Sequence, residues 1–450
     1  MQHFIERPRS SCALGGAIAT LTSLPRVIPI LHTSGGCGQN LSGAFASGGG
    51  NYGSGYCGGG TIPTSTVSEN EIIFGGEDRL REEIENTLDV MNGELFVVAT
   101  GCMTEMIGDD AESVVEGFRK RGVPIVAIST PSFVGDSYCG YEIALNGIFN
   151  QYLEPNLESA GKRAKAVPAI NIFGVIPAYD PFFRGDLEEI SRLLGSLGYA
   201  VNTFFTPDQT FENILRAPSA ALNIVFSRTY GIGFAERFRE RYGTPYWLTD
   251  MPIGPEATDR FLLEFAERTG ASKKKVRDRI AIENKIFYKY FERTADIFRD
   301  SDFKYYTVTV TNSNYAIPVA GYLMRELGWV LKGSYVTDIL EESQKKSLND
   351  AFDAEGFPIP LRFETDTGRI AESITRSLPE YKGSRYYNAA TPLFIVGSTL
   401  EKATAAARGA GQLSVSYPAY NRMIVDRGYA GYRGGLHLFE DIVGTLVGGK

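Results

Sequence analysis

The chain has 450 residues, of which 43% are hydrophobic and 22% charged, and a formal net charge of −8. This balance predicts a globular protein of about three domains and gives no indication of a nucleic-acid partner. The sequence contains no run of 18 apolar residues that would predict a membrane span and no signal-peptide pattern near Met1, so we expect a cytoplasmic protein.

The first third of the chain alternates strand and helix patterns. Continuous apolar runs predict buried strands at 27–32, 94–100 and 123–128. Asp109 or Asp110 can cap a helix that continues through 112–118, which places Cys102 at the carboxyl end of a parallel strand, where open α/β sheets bind ligands. The Gly/Ser-rich stretch 42–60 predicts either a mobile loop or a coil packed against a flat surface.

The alternation continues through the rest of the chain. The second segment predicts strands at 169–176 and 200–205 with a capped helix at 186–194 between them, followed by a long helical region at 271–299. The third segment predicts strands at 305–310 and 392–397. We therefore expect an α/β protein of three serial Rossmann-like domains with mainly parallel sheets, at 1–165, 166–300 and 301–450.

The cysteines are confined to the first third of the chain, at Cys12, Cys37, Cys57, Cys102 and Cys139. Their odd number and sparse spacing favour reduced thiols or metal ligands over a secreted disulfide framework. Cys12, Cys37 and Cys102 lie in short glycine-rich contexts, and glycine lets backbone N–H groups approach a sulfur ligand closely. The pattern predicts a metal site, with a buried, structural thiol as the alternative for each cysteine.

Four segments resemble the nitrogenase component-one family. The run 100–110, TGCMTEMIGDD, matches the Cys-x-x-Glu-x-Ile-Gly-Asp-Asp run of that family, and the run 130–135, TPSFVG, is similar to its β-type subunits. Upstream, Cys12 with two following glycines, then His32 and the Gly-Gly-Cys of 35–37, match the first two cluster ligands in order and context. The ending 428–435, GYAGYRGG, also resembles the β type, so the resemblance spans the chain.

The resemblance implies a set of ligands to an iron–sulfur cluster. Cys12, Cys37 and Cys102 would be this subunit's thiolate ligands to a P-cluster-like cluster of the 8Fe-7S type, and Ser132 would be an oxidation-dependent alkoxide ligand. Three thiolates leave such a cluster incompletely coordinated, so the other ligands must come from a second chain. The implied partners are an α-type subunit, in an α2β2 heterotetramer, and a homodimeric ATP-dependent iron–sulfur reductase.

The resemblance also implies that this chain is an electron-transfer subunit of an oxidoreductase, with no catalytic residue of its own. Family α-type subunits hold the active-site cofactor through a mid-chain cysteine and a late histidine. This chain has no cysteine after Cys139, and His437 lies in an apolar stretch typical of a packing histidine. The expected role is to relay electrons from the reductase, through the shared cluster, to the cofactor in the α-type partner.

The chain also departs from the family pattern. Gly35 replaces the usual residue before the Gly-Cys pair of Cys37, and a glycine-rich stretch follows. Cys57 and Cys139 have no counterpart in the pattern, and Cys139 is either an auxiliary ligand or a buried thiol. With these departures the chain looks more like the divergent nitrogenase-like enzymes, among which the methylthio-alkane reductases, which cleave C–S bonds of small thioethers, are the leading prediction.

Other functions stay open at this stage. A β subunit of a dinitrogen-reducing nitrogenase would have the same fold and cluster. The β-type half of a cofactor-assembly scaffold is a further alternative, although those subunits lack the Cys-x-x-Glu-x-Ile-Gly-Asp-Asp run that is intact at 102–110. The dark-operative tetrapyrrole reductases share the fold, but the runs around Ser132 and Gly431 fit them less well. A periplasmic-type binding module would need a signal peptide.

Overall fold

The computed structural model describes residues 7–51, 62–153, 167–296, 303–378 and 392–448. In these ranges the chain forms three sheets, each made entirely of parallel strands and flanked by helices. The predicted fold class is therefore confirmed. None of the helices in the described ranges has the length and apolar character that crossing a bilayer requires.

The first sheet has the strand order β1-β2-β3 and carries the candidate cysteines. Its strands are β1 (Val27–His32), β2 (Leu95–Thr100) and β3 (Ile125–Ser129), each within two residues of its predicted bounds. Its helices are α1 (Ala13–Ser23), α2 (Gly35–Gly48), α3 (Glu69–Phe74), α4 (Glu77–Val90), α5 (Cys102–Ile107), α6 (Ala111–Lys120) and α7 (Ser137–Gly147). A 3-10 turn at Ser132–Val134 follows β3, and a π-helical segment at Ile148–Leu153 follows α7. His32 pairs with Thr100, and Thr100 with Ser129, so the three carboxyl ends are aligned.

The second sheet has the order β5-β4-β6-β7. Its strands are β4 (Ala169–Phe173), β5 (Ala200–Asn202), β6 (Leu222–Val225) and β7 (Tyr246–Leu248). Its helices are α8 (Phe183–Ser196), α9 (Phe211–Arg216), α10 (Ile232–Tyr242), α11 (Gly254–Thr269) and α12 (Lys273–Phe291), with 3-10 turns at Ala217–Ser219 and Glu292–Thr294. The long predicted helix corresponds to α12 and the turn after it, and residues 297–299 of that prediction lie outside the described ranges.

The third sheet has the order β10-β9-β8-β11-β12, the 3-2-1-4-5 arrangement of doubly wound folds. Its strands are β8 (Tyr306–Thr311), β9 (Val330–Val336), β10 (Leu361–Phe363), β11 (Leu393–Gly397) and β12 (Gly411–Ser414). Its helices are α13 (Ser313–Gly321), α14 (Glu342–Ala354), α15 (Thr367–Ser377), α16 (Lys402–Ala407) and α17 (Gly431–Gly448). A π-helical segment at Tyr322–Glu326 follows α13, and a 3-10 turn at Thr399–Glu401 precedes α16.

The three sheets are packed into one molecule with shared hydrophobic contacts. One continuous core cluster includes Leu31 of the first sheet, Ile170 of the second and Leu331 of the third. The last helix, α17, contacts α8, α11 and α12 of the second unit as well as β12. The sheets fall within the ranges expected for the three domains, whose boundaries stay a prediction.

Gly16 in α1 and Gly140 in α7 allow these two helices to pack closely against each other. A Cβ atom at Gly16 would overlap the carbonyl oxygen of Ser137, and one at Gly140 would overlap the carbonyl oxygen of Ala13. These two positions therefore accept only glycine without a shift of one helix. The helix pair fixes Cys12, which precedes α1, beside the start of α7.

Two expectations about local structure were wrong. Residues 42–48 of the glycine-rich stretch are helical, because Gly48 packs so closely on Tyr417 that a side chain would overlap the ring, and this tertiary contact outweighs low helix propensity. Residues 52–60, with Cys57, lie outside the described ranges. Helix α8 starts at Phe183, so Asp186 does not cap it and is instead a buried residue within it.

Candidate metal centre

The carboxyl edge of the first sheet brings together residues that follow each of its strands. Cys37 is the third residue of α2, after β1, and Cys102 is the first residue of α5, after β2. Ser132 opens the 3-10 turn after β3. Because the strands are parallel and their ends aligned, all three residues emerge at one edge, where α/β sheets bind ligands.

Cys102 and Ser132 are in direct contact. The Cys102 thiol donates a hydrogen bond to Ser132 Oγ at 3.1 Å, and the Ser132 N–H donates to Cys102 Sγ at 3.1 Å. Residue 101, just before Cys102, has to be glycine because a Cβ at Gly101 would overlap the Thr33 hydroxyl. The pairing of this cysteine and serine, which the resemblance implies, is thus compatible with the geometry.

Cys12 approaches the same edge from a different direction. It lies just before α1 and forms an isolated antiparallel bridge with Asp136, in the loop that follows the Ser132 turn. The Ala13 N–H donates to the Gly135 carbonyl at 3.0 Å, and the Ser137 N–H donates to the Ser11 carbonyl at 2.8 Å. Cys12 is therefore held against the loop that leads from β3 to α7.

Cys37 has its own local support. The Ser34 hydroxyl donates to Cys37 Sγ at 3.4 Å, and the Cys37 N–H donates to the Ser34 carbonyl at 3.1 Å. Cys12, Cys37 and Cys102 are all partly exposed. Within the described ranges, no three His, Cys, Asp or Glu side chains converge as the ligands of a metal ion do.

These donors fit part of an iron–sulfur site. Soft thiol sulfurs with N–H or O–H donors aimed at them are the ligand environment that iron–sulfur clusters use. Cys12, Cys37 and Cys102 are partly exposed, as is Cys139, so none of the four is sealed within the chain. The arrangement suits a cluster whose coordination is completed by another chain, and it does not form a closed metal site by itself.

Cys139 and His437 each lie close to a backbone carbonyl oxygen. Cys139, in the first turn of α7, has its sulfur 3.7 Å from the Val134 carbonyl oxygen, and burial raises the pKa of its thiol. His437, in α17, has Nδ1 3.1 Å from the Gly428 carbonyl oxygen. The role of Cys139 as an auxiliary ligand stays a prediction.

His32 and Asp109 support this edge through contacts that the sequence motifs do not predict. His32 is fully buried, with Nε2 3.0 Å from Asp109 Oδ2 and Nδ1 3.0 Å from Ser65 Oγ. Burial lowers the pKa of His32, and the neighbouring Asp109 opposes that effect without overcoming it. Asp109 also accepts from the Gly76 N–H at 2.9 Å. The first aspartate of the run at 102–110 thus joins β1 to the start of α4, a contact between distant residues that spacing alone does not reveal.

The other acidic residues of that run also have structural partners. The Glu105 carboxylate accepts a hydrogen bond from the Thr100 hydroxyl at the end of β2. Asp110 caps α6 by accepting from the Ser113 N–H at 2.9 Å, which confirms the second of the two predicted caps. The glutamate and both aspartates therefore hold α5 and α6 at the strand end that carries Cys102.

Apolar side chains that the chain leaves exposed surround this edge. Phe74 at the end of α3 is 84% exposed, Met106 in α5 is 78% exposed and Phe133 beside Ser132 is 67% exposed. Helix α3 contacts α5, so Phe74 and Met106 belong to neighbouring elements. We call Phe74, Met106 and Phe133 the apolar rim. Large exposed apolar groups beside polar ligands are typical of protein interaction surfaces.

Comparison with known proteins gives one family for nearly the whole chain. The family model described as nitrogenase component 1 type oxidoreductase matches residues 12–447. The nitrogenase molybdenum–iron protein alpha chain of Methanosarcina barkeri is 27% identical over 57% of this chain and 47% of its own length. The nitrogenase iron-molybdenum cofactor biosynthesis protein NifE of Rippkaea orientalis is 27% identical over 61% of this chain and 56% of its own length. The chain thus spans about half the length of these two relatives.

A third relative aligns almost end to end. The nitrogenase molybdenum–iron protein beta chain of Methanococcus maripaludis is 24% identical over 98% of this chain and 94% of its own length. A solved structure, nitrogenase Cp1 at pH 6.5, superposes with a TM-score of 0.77 at 18% identity and covers 100% of this chain and 94% of that chain. This superposition confirms the fold of all three units.

Proposed function

The chain belongs to the nitrogenase component 1 type oxidoreductases, and on this premise we propose that it is the β-type subunit of a nitrogenase-like reductase complex. The observation that carries the proposal is the common sheet edge at which Cys37, Cys102 and Ser132 follow three adjacent parallel strands, with Cys12 held beside them. The proposed complex is an α2β2 heterotetramer that receives electrons from an ATP-dependent iron–sulfur reductase. Its active-site cofactor belongs to the α-type partner.

Cys12, Cys37 and Cys102 would hold a P-cluster-like iron–sulfur cluster at the boundary with that partner, with Ser132 as an additional ligand. Such a cluster, when bound, accepts and donates electrons. This chain's own groups support the sulfurs: the Ser132 N–H donates to Cys102 Sγ, and the Ser34 hydroxyl donates to Cys37 Sγ. Hydrogen bonds of this kind help to set the reduction potential of a cluster.

The apolar rim supports the proposal that other chains cover this edge. Phe74, Met106 and Phe133 expose large apolar surfaces next to the proposed ligands, and their burial by a partner would exclude water from the cluster. Because ligands and surface are both completed by a second chain, this subunit expressed alone should aggregate or contain too little metal. A monomer that remains soluble with a complete cluster would contradict the proposal.

The ligand assignment is tested by counting iron in the purified complex. We expect Cys12→Ala, Cys37→Ala and Cys102→Ala each to lower the iron content, because no neighbouring side chain can replace the lost thiolate. Cys139→Ala changes a cysteine that is likewise partly exposed, and it should retain its iron unless Cys139 is an auxiliary ligand. Cys57→Ala should also retain its iron. Full iron occupancy in all three ligand variants would refute the assignment.

Within this family, we propose that the complex reduces a small thioether, as a methylthio-alkane reductase does. The support is in the sequence: the surroundings of Cys37 depart from the β-type pattern, with Gly35 before the Gly-Cys pair. The test supplies the complex, its reductase and ATP with ethyl methyl sulfide or with dinitrogen and measures hydrocarbon and ammonia separately. Ammonia without hydrocarbon would instead indicate a nitrogenase β subunit, which the end-to-end similarity to such a chain favours.

The β-type half of a cofactor-assembly scaffold is the second alternative. The similarity to the cofactor biosynthesis protein NifE of Rippkaea orientalis supports a role in cofactor assembly, and the assignment to the β-type half rests on the sequence motifs alone. A scaffold would turn over neither substrate but would transfer a cluster precursor to a cofactor-free acceptor. Transfer of iron from the purified complex to such an acceptor, without reduction of thioether or dinitrogen, would favour this function over the reductase.

A further inference from the structure

Arg9, three residues before Cys12, is buried in the third unit of the fold. Its side chain is 4% exposed, and that of its ion-pair partner Glu401 is 2% exposed. The Arg9 guanidinium also donates to Ser398 Oγ at 2.9 Å and to Thr367 Oγ1 at 3.2 Å. These groups lie just after β11 and at the start of α15, so Arg9 fixes the N-terminal segment to the carboxyl edge of the third sheet.

The residues between Arg9 and Cys12 are bound to the other two units. The Ser11 hydroxyl is hydrogen-bonded to the hydroxyl of Tyr179, which follows β4, and the Ser11 carbonyl accepts from the Ser137 N–H at 2.8 Å. Residues 7–11 belong to no helix or strand. These contacts hold the N-terminal side of Cys12, while the start of α1 and the bridge to Asp136 hold its other side.

We propose that Arg9 is a positioning residue for the Cys12 thiol, acting through its ion pair with Glu401. The inference rests on the proposed function, in which Cys12 is a cluster ligand. A buried ion pair adds little stability over a well-packed apolar pair, but it requires one geometry. The planar guanidinium contacts Glu401, Ser398 and Thr367 together, which the single ammonium of lysine cannot reproduce.

Only two residues separate Arg9 from Cys12, so a change at Arg9 should affect the proposed metal site. If the guanidinium leaves its site, the N-terminal side of Cys12 keeps the contacts of Ser11 with Ser137 and Tyr179, and its other side keeps the hydrogen bond from the Ala13 N–H to the Gly135 carbonyl. The Cys12 thiol should then sample more positions and release its metal faster. Residues that orient a metal ligand typically contribute about 10- to 100-fold to metal affinity.

The experiment uses the complex purified with the α-type partner and compares Arg9→Met with wild type. Arg26→Met is the matched control, since Arg26 pairs with Glu94 on the surface of the same unit, both 47% exposed. In the metallated complex, the rate of iron transfer to a ferrous chelator is measured. In the metal-free complex, maleimide labelling of Cys12 is compared with that of Cys102 by mass spectrometry. We expect iron release to rise about 10-fold and Cys12 labelling to rise relative to Cys102, with neither change in Arg26→Met.

A double variant distinguishes the loss of Cys12 positioning from misfolding of the third unit. Arg9→Met alone leaves the Glu401 carboxylate buried without its cation, whereas Arg9→Met with Glu401→Met removes both charges and should keep the third unit folded. In this double variant, rapid iron release with increased Cys12 labelling supports the proposal. Wild-type iron release, or wild-type labelling of Cys12, overturns it. Failure of the proposed function is seen separately, as full iron retention in Cys12→Ala.

Discussion

Asp186 is a carboxyl group buried between α8 and the start of the last helix, and it should make the stability of the protein depend on pH. Its Oδ1 accepts from the Tyr429 N–H at 2.5 Å and the Ala430 N–H at 2.8 Å, and the Tyr315 hydroxyl is 3.3 Å from Oδ2. Burial raises the pKa of Asp186 to about 7 despite these hydrogen bonds. The folded protein therefore holds this proton more tightly than the unfolded chain does.

The sign and size of the effect follow from proton linkage. The stabilising contribution of the Asp186 proton is complete below pH 3.8, falls as pH rises and is lost above about pH 7. A pKa difference between 3.8 and about 7 corresponds to about 4 kcal/mol, of which about 3 kcal/mol is lost between pH 5 and 8. Asp186→Asn keeps an oxygen to accept the two N–H groups and never becomes charged. The stability of the variant relative to wild type should therefore increase by about 3 kcal/mol over this pH range.

The assay is calorimetric unfolding of wild type and Asp186→Asn at pH 5 and pH 8. For a chain of 450 residues, about 3 kcal/mol corresponds to roughly 3 °C in the unfolding midpoint. Asp426→Asn, which removes an exposed carboxylate from the same region, is the control for the loss of one negative charge. If the unfolding midpoints of wild type and Asp186→Asn change by the same amount between pH 5 and 8, Asp186 is ionised in the folded protein and the reasoning fails.

Three further predictions concern packing, ion pairing and capping. Gly16→Ala should lower the free energy of unfolding by about 3 kcal/mol because its Cβ would overlap the backbone of α7, whereas Gly117→Ala, in an open helical position, should raise it by about 0.5–1 kcal/mol. Equal denaturation midpoints for these two variants would contradict the packing argument. Burial by itself would raise the pKa of Glu283, but its ion pairs with Arg192 and Arg279 outweigh burial, and the pKa is lowered. The ionised carboxylate therefore stabilises the folded protein, and this stabilisation should be lost on acidification. Glu283→Gln should therefore lower the unfolding midpoint at pH 7 more than at pH 4, and an equal loss at both would count against the ion pairs. Asp110→Ala should cost about 1 kcal/mol through loss of the α6 cap without lowering the iron content of the complex, and reduced iron would mean that Asp110 acts on the site.

The strands of the first sheet could be predicted because their signal is local. β1 matches its predicted bounds and β2 differs by one residue, since all residues of both strands are buried and apolar runs mark them. Helix α2 could not be predicted in this way. Its last turn packs Gly48 on Tyr417, which is remote in the sequence, and glycine has low helix propensity without such a contact.

The candidate site also has one part that the sequence predicts and another that only the complete fold reveals. The placement of Cys102 after β2, and of Ser132 after β3, follows from the strand pattern and the parallel register. The burial of Asp186 and the ion pair of Arg9 with Glu401 depend on residues brought together only by the complete fold, so neither has a signature in the local sequence. Local patterns identify the proposed ligands, and tertiary contacts determine what holds them in place.

The contact between Arg9 and Glu401 joins residues 392 positions apart. During synthesis, the ribosome adds about 5–20 residues per second, so Arg9 emerges roughly 20–80 s before its partner. For that interval the N-terminal segment lacks its contact with the third unit, whereas Cys12 can already meet the loop at 135–137. The N-terminal segment therefore closes in two stages, first onto the cysteine-bearing unit during synthesis and last onto Glu401 when the third unit has been made.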